Sequence, residues 1–115
     1  MVKLESLKKS NQFKKVLKEK KVHSEYFSIF AAKNFYKPKS KTNLLISFVM
    51  KKKIGNAVKR NKIRRKLKAI VHKLLKKKGA INKDNTYIVF GKSKAYEEKQ
   101  SVLMTTMMKC FEKIK

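Results

Sequence analysis

At 115 residues with 42% apolar content, the chain is sized for one domain, 1–115, with one modest core. Its 33 Lys+Arg against 7 Asp+Glu give a formal charge of +26, which excludes cationic partners and calls for a polyanion: nucleic acid first, an anionic membrane surface second. A single cysteine, Cys110, excludes an internal disulfide, and the longest mainly apolar run, Leu44 to Met50, is too short to cross a bilayer.

Residues 1–9 contain no apolar signal core, so the expected compartment is the reducing cytoplasm. Ser10 is a good N-cap, and Phe13, Val16 and Leu17 follow at helical spacing, which predicts a short helix over 10–20. Tyr26 to Ala32 is aromatic and β-branched and reads as a strand. Lys33 to Asn43, with Pro38 and four lysines, reads as a solvated loop. Leu44 to Met50 is a second strand, expected to lie antiparallel to the first across that loop. Gly55-Asn56 breaks the strand pattern and Asn56 caps a helix whose apolar stripe is Ile63, Leu67, Ile70, Val71, Leu74 and Leu75. Lysines 76–78 and Gly79 end it. Thr86 to Phe90 is a third strand. Glu97 and Glu98 open a last helix with the stripe Val102, Leu103, Thr106, Met107, Cys110, Phe111 and Ile114. The expected class is α+β, an α-β-β-α-β-α sandwich whose small mixed sheet carries its helices on one side.

Charge is distributed unevenly. No Asp or Glu stands between Glu25 and Asp84, and Lys51 to Lys68 holds ten cations in eighteen residues. Against 30 lysines the chain has three arginines, Arg60, Arg64 and Arg65, all within six positions. Lysine serves where a point charge suffices; the planar guanidinium, which grips phosphate in two places, is kept for this stretch. On a helix, Asn61, Arg64, Arg65, Lys68 and His72 share one polar strip, with Arg60 flanking it. Lys62, Lys66 and Lys73 form a second strip. Any single lysine here is equally well a solvated surface charge, but three arginines out of three in one place argue for a binding face.

The run from Lys52 to Arg65, Lys-Lys-Ile-Gly-Asn-Ala-Val-Lys-Arg-Asn-Lys-Ile-Arg-Arg, resembles the arginine-rich signature of the bacterial ribonuclease P protein family. Ser-Asn-Gln-Phe-Lys-Lys-Val-Leu at 10–17 is similar to that family's first helix, Tyr-Phe-Ser-Ile-Phe at 26–30 to its first long strand, and Tyr-Ile-Val-Phe-Gly-Lys at 87–92 to its last. The resemblance implies a short fourth strand and a left-handed β-α-β crossover, against the usual preference. It implies ribonuclease P RNA and precursor tRNA as partners, with no membrane and no obligate protein partner. Mg²⁺ is held mainly by the RNA subunit, which carries the hydrolysis; the protein alone is inactive and contributes no catalytic residue. By position, Lys52, Lys53, Arg60, Asn61, Arg64, Arg65 and Lys68 take the RNA-binding roles. Phe13, Leu17, Ser28 and Phe30 take those of a cleft for the single-stranded 5′ leader. The chain departs from the family at Leu17, where an aromatic is frequent, and at Ser28, where an aliphatic is usual. Lys68-Ala69 replaces a frequent Arg-Glu pair, and Lys92 an arginine.

Those cleft positions suit unstacked bases and a phosphate track, although Phe13 and Leu17 also have the spacing of ordinary core residues. His23 and His72 with one cysteine do not make a four-ligand zinc site. Seven scattered acids do not make the carboxylate cluster of a two-metal nuclease, and Gly55 lacks the glycines of a phosphate loop. A structural RNA-binding protein would share the charge but spread its cations evenly. A helix-turn-helix DNA reader would place a helix, not a strand, before its recognition helix.

Overall fold

A computed structural model describes residues 4–7, 10–33, 43–77 and 79–114. Its strands are β1 (Leu4–Glu5), β2 (Lys20–His23), β3 (Phe27–Lys33), β4 (Leu44–Val49) and β5 (Asn85–Gly91). The helices are α1 (Ser10–Leu17), α2 (Ala57–Leu75) and α3 (Gln100–Ile114), with short 3₁₀ turns at Lys52–Ile54 and Ser93–Tyr96. The class is α+β with a mixed sheet, as expected. The sheet has five strands in the order β1-β4-β5-β3-β2.

The two strands that pattern reading missed are the two edges. β1 is two residues long, and β2 is Lys-Lys-Val-His, mostly exposed. Edge strands need no apolar face and are commonly short and lysine-bearing, so they give no hydrophobic alternation to read. β2 also explains why α1 stops at Leu17 rather than reaching residue 20: Lys20 already pairs with Ala31.

β4 is not the neighbour of β3. β5 is inserted between them, parallel to β4 (Ile46 opposite Tyr87) and antiparallel to β3 (Ile29 opposite Val89). Local sequence favours hairpin pairing across the 33–43 loop, of which residues 34–42 lie outside the described residues. Burial decides otherwise, because Asn85–Gly91 is buried at six of its seven positions and a central place covers both its faces.

The helices occupy both faces of the sheet, not one. α2 and α3 pack against Phe27, Ile29, Ala31, Leu44, Ile46, Tyr87 and Val89 to form the main core. α1 lies on the opposite face, where Val16, Leu7, Ala32 and Ile88 form a smaller cluster with Phe13, Phe30, Val49 and Phe90 packed against it. Strand alternation makes both faces apolar: odd positions of β3 and β5 point to the large core and even positions to the small one. Tyr87, fully buried, donates its hydroxyl to the Asn82 carbonyl at 3.1 Å and meets Phe111 edge-on at 5.0 Å.

Helix ends shift for local reasons. α2 runs to Leu75 with Lys76 as C-cap, and Gly79 takes its positive φ of 78° three residues later. α3 starts at Gln100, not Glu97, because the Glu98 carboxylate is engaged outside the helix, accepting from the Tyr26 hydroxyl at 2.9 Å. Of the α3 stripe, Leu103, Met107, Cys110, Phe111 and Ile114 are buried, whereas Val102 is exposed.

Candidate nucleic-acid interface

The entry to α2 is built residue by residue. Met50 turns inward after β4, Lys51 to Ile54 make a tight turn, and Gly55 adopts φ 153°, ψ −163°. A Cβ there would meet only the flexible Lys59 stem, 2.9 Å from its Cδ, so it is the positive φ that calls for glycine. Asn56 then accepts a hydrogen bond from the Lys59 backbone N–H at 2.9 Å, capping the helix. The first turn carries no acid, so the partial positive charge of this helix end adds to Lys51, Lys52 and Lys53.

Along α2, Asn61, Arg65, Lys68 and His72 are exposed on one strip, as the spacing required. Arg64 is half-buried and donates from Nη1 to Asn61 Oδ1 at 2.9 Å, so one side of its fork is held by the same helix. Arg60 behaves differently. In projection it stands within ~20° of Leu67, on the line of the core stripe. It is half-buried, and its Nε is enclosed without a hydrogen-bond partner among the described residues.

On the second strip Lys62 and Lys73 are exposed, but Lys66 is not a solvated charge. Lys66 Nζ donates to the carbonyls of Ala95 at 3.0 Å, Tyr96 at 2.9 Å and Glu98 at 2.7 Å, and Gln100 Nε2 returns a bond to the Lys66 carbonyl. Desolvation, then the Lys62 charge, lowers the Lys66 pKa from its ordinary value. Lys59 and Lys62 stand over the Tyr96 ring, 5.3 and 4.7 Å from its centre. This strip joins α2 to the segment before α3.

On the α1 face of the sheet a groove of about 630 Å³ opens between α1 and the α2 entry. Leu17, Ser28 and Phe30 line it with Lys53, which brings together three of the four expected cleft residues and one of the expected RNA-binding residues. Phe13 instead packs into the small core under α1. The groove also takes in residues that sequence reading did not assign to the cleft: His23, Lys51, Ile54, Phe90 and Lys92. Register explains their arrival. His23 stands opposite Ser28, Ser28 opposite Phe90, and Val49 opposite Phe90, one row across four strands. Such a row is invisible until strand pairing is known; the weak signal was the even-position alternation of Ile88 and Phe90.

The groove wall is aromatic and its rim cationic. Phe30 and Phe90 meet edge-on at 5.5 Å, and Lys51 Nζ lies 5.7 Å from the Phe90 ring centre. Lys92 is tied down, donating to the Ser24 carbonyl at 2.5 Å. Among the described residues no three His, Cys, Asp or Glu side chains gather where a metal ion could be held. Cys110 is buried in the core with its thiol pKa pushed up by desolvation, which makes it no nucleophile.

A model of the ribonuclease P family matches residues 1–115. The ribonuclease P protein component of Listeria monocytogenes serotype 4a is 31% identical over 103 residues, covering 84% of this chain and 81% of that one. The chain belongs to the ribonuclease P protein family. The Mycoplasma mycoides ribonuclease P protein component is 28% identical over 109 residues, covering 95% and 94% of the two chains. In three dimensions the ribonuclease P protein of Thermotoga maritima superposes with a TM-score of 0.74 at 24% identity, over 96% of this chain and 98% of that one, which establishes the shared fold. The chain is thus a protein subunit of ribonuclease P, a tRNA-processing ribonuclease, and its partner is the ribonuclease P RNA. None of its described helices is long and apolar enough to cross a membrane.

Proposed function

We propose that this subunit binds ribonuclease P RNA through the first half of α2 and the single-stranded 5′ leader of precursor tRNA through the groove. It thereby assists endonucleolytic removal of the leader in the cytoplasm. One observation carries the reading: Lys53 and Ile54 belong both to the turn that opens α2 and to the groove rim, so the two surfaces are continuous. A strand of RNA crossing the groove has aromatic faces to stack on and cations along its backbone. On this reading Mg²⁺ and the hydrolysis belong to the RNA subunit, as the family resemblance implies.

The test is reconstitution. Nuclease-free protein mixed with bacterial ribonuclease P RNA is expected to remove the leader at Mg²⁺ concentrations where the RNA alone is slow. A several-nucleotide leader should bind more tightly than a one-nucleotide leader. Sustained cleavage of precursor tRNA by the protein without RNA would overturn the division of labour.

A further inference from the structure

The groove contains one hydrogen-bonding unit of a kind its lysines and aromatics do not provide. His23 Nδ1 and Ser28 Oγ are 2.6 Å apart, and the His23 ring stands edge-on to Phe30, centroids 5.9 Å apart at 83°. The imidazole is therefore held on two sides. Two other polar groups of the lining are occupied: Ser93 Oγ accepts from Lys59 Nζ at 3.0 Å, and Lys92 is bonded to Ser24. His23 Nε2 has no partner among the described residues, and the His23 side chain is exposed to the groove.

Hydrogen-bond satisfaction among the described residues favours one tautomer. Ser28 is 4% exposed, and its bond to His23 is the one its hydroxyl makes among the described residues. If Nδ1 carried the proton, the serine hydroxyl would have no acceptor for its own proton among the described residues. The serine therefore donates to Nδ1, and a neutral ring carries its proton on Nε2, aimed away from the sheet.

We propose that His23 reads a leader nucleobase, donating its Nε2–H to an acceptor on the edge of an unstacked base lying against Phe30 and Phe90. This rests on the leader-binding reading above and adds base discrimination to it. Stacking and phosphate contacts accept any base, whereas a directed donor favours bases that present an acceptor in its path. Ser28 is a positioning residue, acting only through the imidazole.

The experiment uses the full chain reconstituted with ribonuclease P RNA and precursor tRNAs carrying an abasic nucleotide at each leader position in turn. At one position wild type is expected to lose about tenfold in kcat/KM, or about 1.4 kcal/mol. His23→Ala and His23→Phe should lose a comparable amount on the intact leader and little more when that same position is abasic, a non-additive cycle. His23→Phe keeps an aromatic ring beside Phe30 but has no nitrogen, which separates hydrogen bonding from packing. Ser28→Ala should weaken discrimination at that position and at no other. If both His23 variants retain the full tenfold sensitivity at that position, the inference is overturned while leader binding stands. If wild type treats one-nucleotide and longer leaders alike, the leader reading fails and the inference fails with it.

Discussion

Arg60, Arg64 and Arg65 are adjacent in sequence but stand in three different environments. Arg65 projects into solvent, Arg64 is braced by Asn61, and Arg60 lies over the end of the core stripe with its Nε enclosed. Replacing all three by lysine keeps the charge and loses the planar fork. The triple variant is expected to bind ribonuclease P RNA about tenfold more weakly, with a nearly unchanged salt slope because the count of neutralised phosphates is the same. Binding isotherms across a salt series check both; equal affinity would make the cluster a generic charged face. Gly91 is a residue-scale constraint of the opposite kind. A Cβ there would come within 2.9 Å of Ile63 Cγ2 and crowd Met50, closing the space in which α2 approaches β5. Met50 can swing aside but the β-branched Ile63 cannot, so Gly91→Ala should cost about 1–3 kcal/mol in denaturant unfolding. An unchanged midpoint would show that α2 sits less tightly than it is drawn.

Elements are joined here by polar side chains as much as by apolar ones. Lys66 ties α2 to three carbonyls ahead of α3, and the Tyr26 hydroxyl ties the start of β3 to Glu98. The backbone N–H of Lys99 and the Tyr26 hydroxyl hold the Glu98 carboxyl below its ordinary pKa, and the bond to Glu98 raises that of Tyr26. The signs follow from linkage. A depressed carboxyl contributes stability above the usual pKa of 4.5 that is lost as pH falls through its folded value. A raised phenol stays protonated in the fold, so its contribution is lost as pH climbs from 10.0 through its folded value. The stability difference between wild type and Tyr26→Phe should therefore be level near neutral pH and shrink toward both extremes. Paired urea titrations across pH measure it, and a difference independent of pH would mean the bond does not persist in solution.

At the scale of the whole molecule, +26 charges on 115 residues repel one another, and the core under α2 and α3, its smaller counterpart under α1 and the polar ties between elements oppose that repulsion. Anions that bind the folded surface should relieve it. The thermal midpoint is expected to rise with added sulfate relative to chloride at matched ionic strength, and equal midpoints would count against specific anion sites.

Much of this protein was determined by short-range pattern. The apolar stripe from Ile63 to Leu74, the Asn56 cap, the strands at Leu44 and Tyr87, and the strip of α2 that Arg64 and Arg65 share with Asn61 and Lys68 all follow from periodicity of 3.6 or 2 and from local capping chemistry. Tertiary structure alone decided what long-range pairing decides. Inserting β5 between β4 and β3 buries a strand apolar on both faces, and that one choice sets Phe90 beside Ser28 and Phe30. Pairing of β2, a lysine-rich edge with no hydrophobic signal, brings His23 to the same row. Phe13 and Leu17 share a helix face in sequence, yet on the sheet one packs against the core and the other lines the groove. Lys66 reads as one more surface lysine until the turn after β5 folds back and offers it three carbonyls. Spacing along the chain states which side chains share a face; it carries no record of which distant segment will cover that face, because that is set by the burial of the whole core.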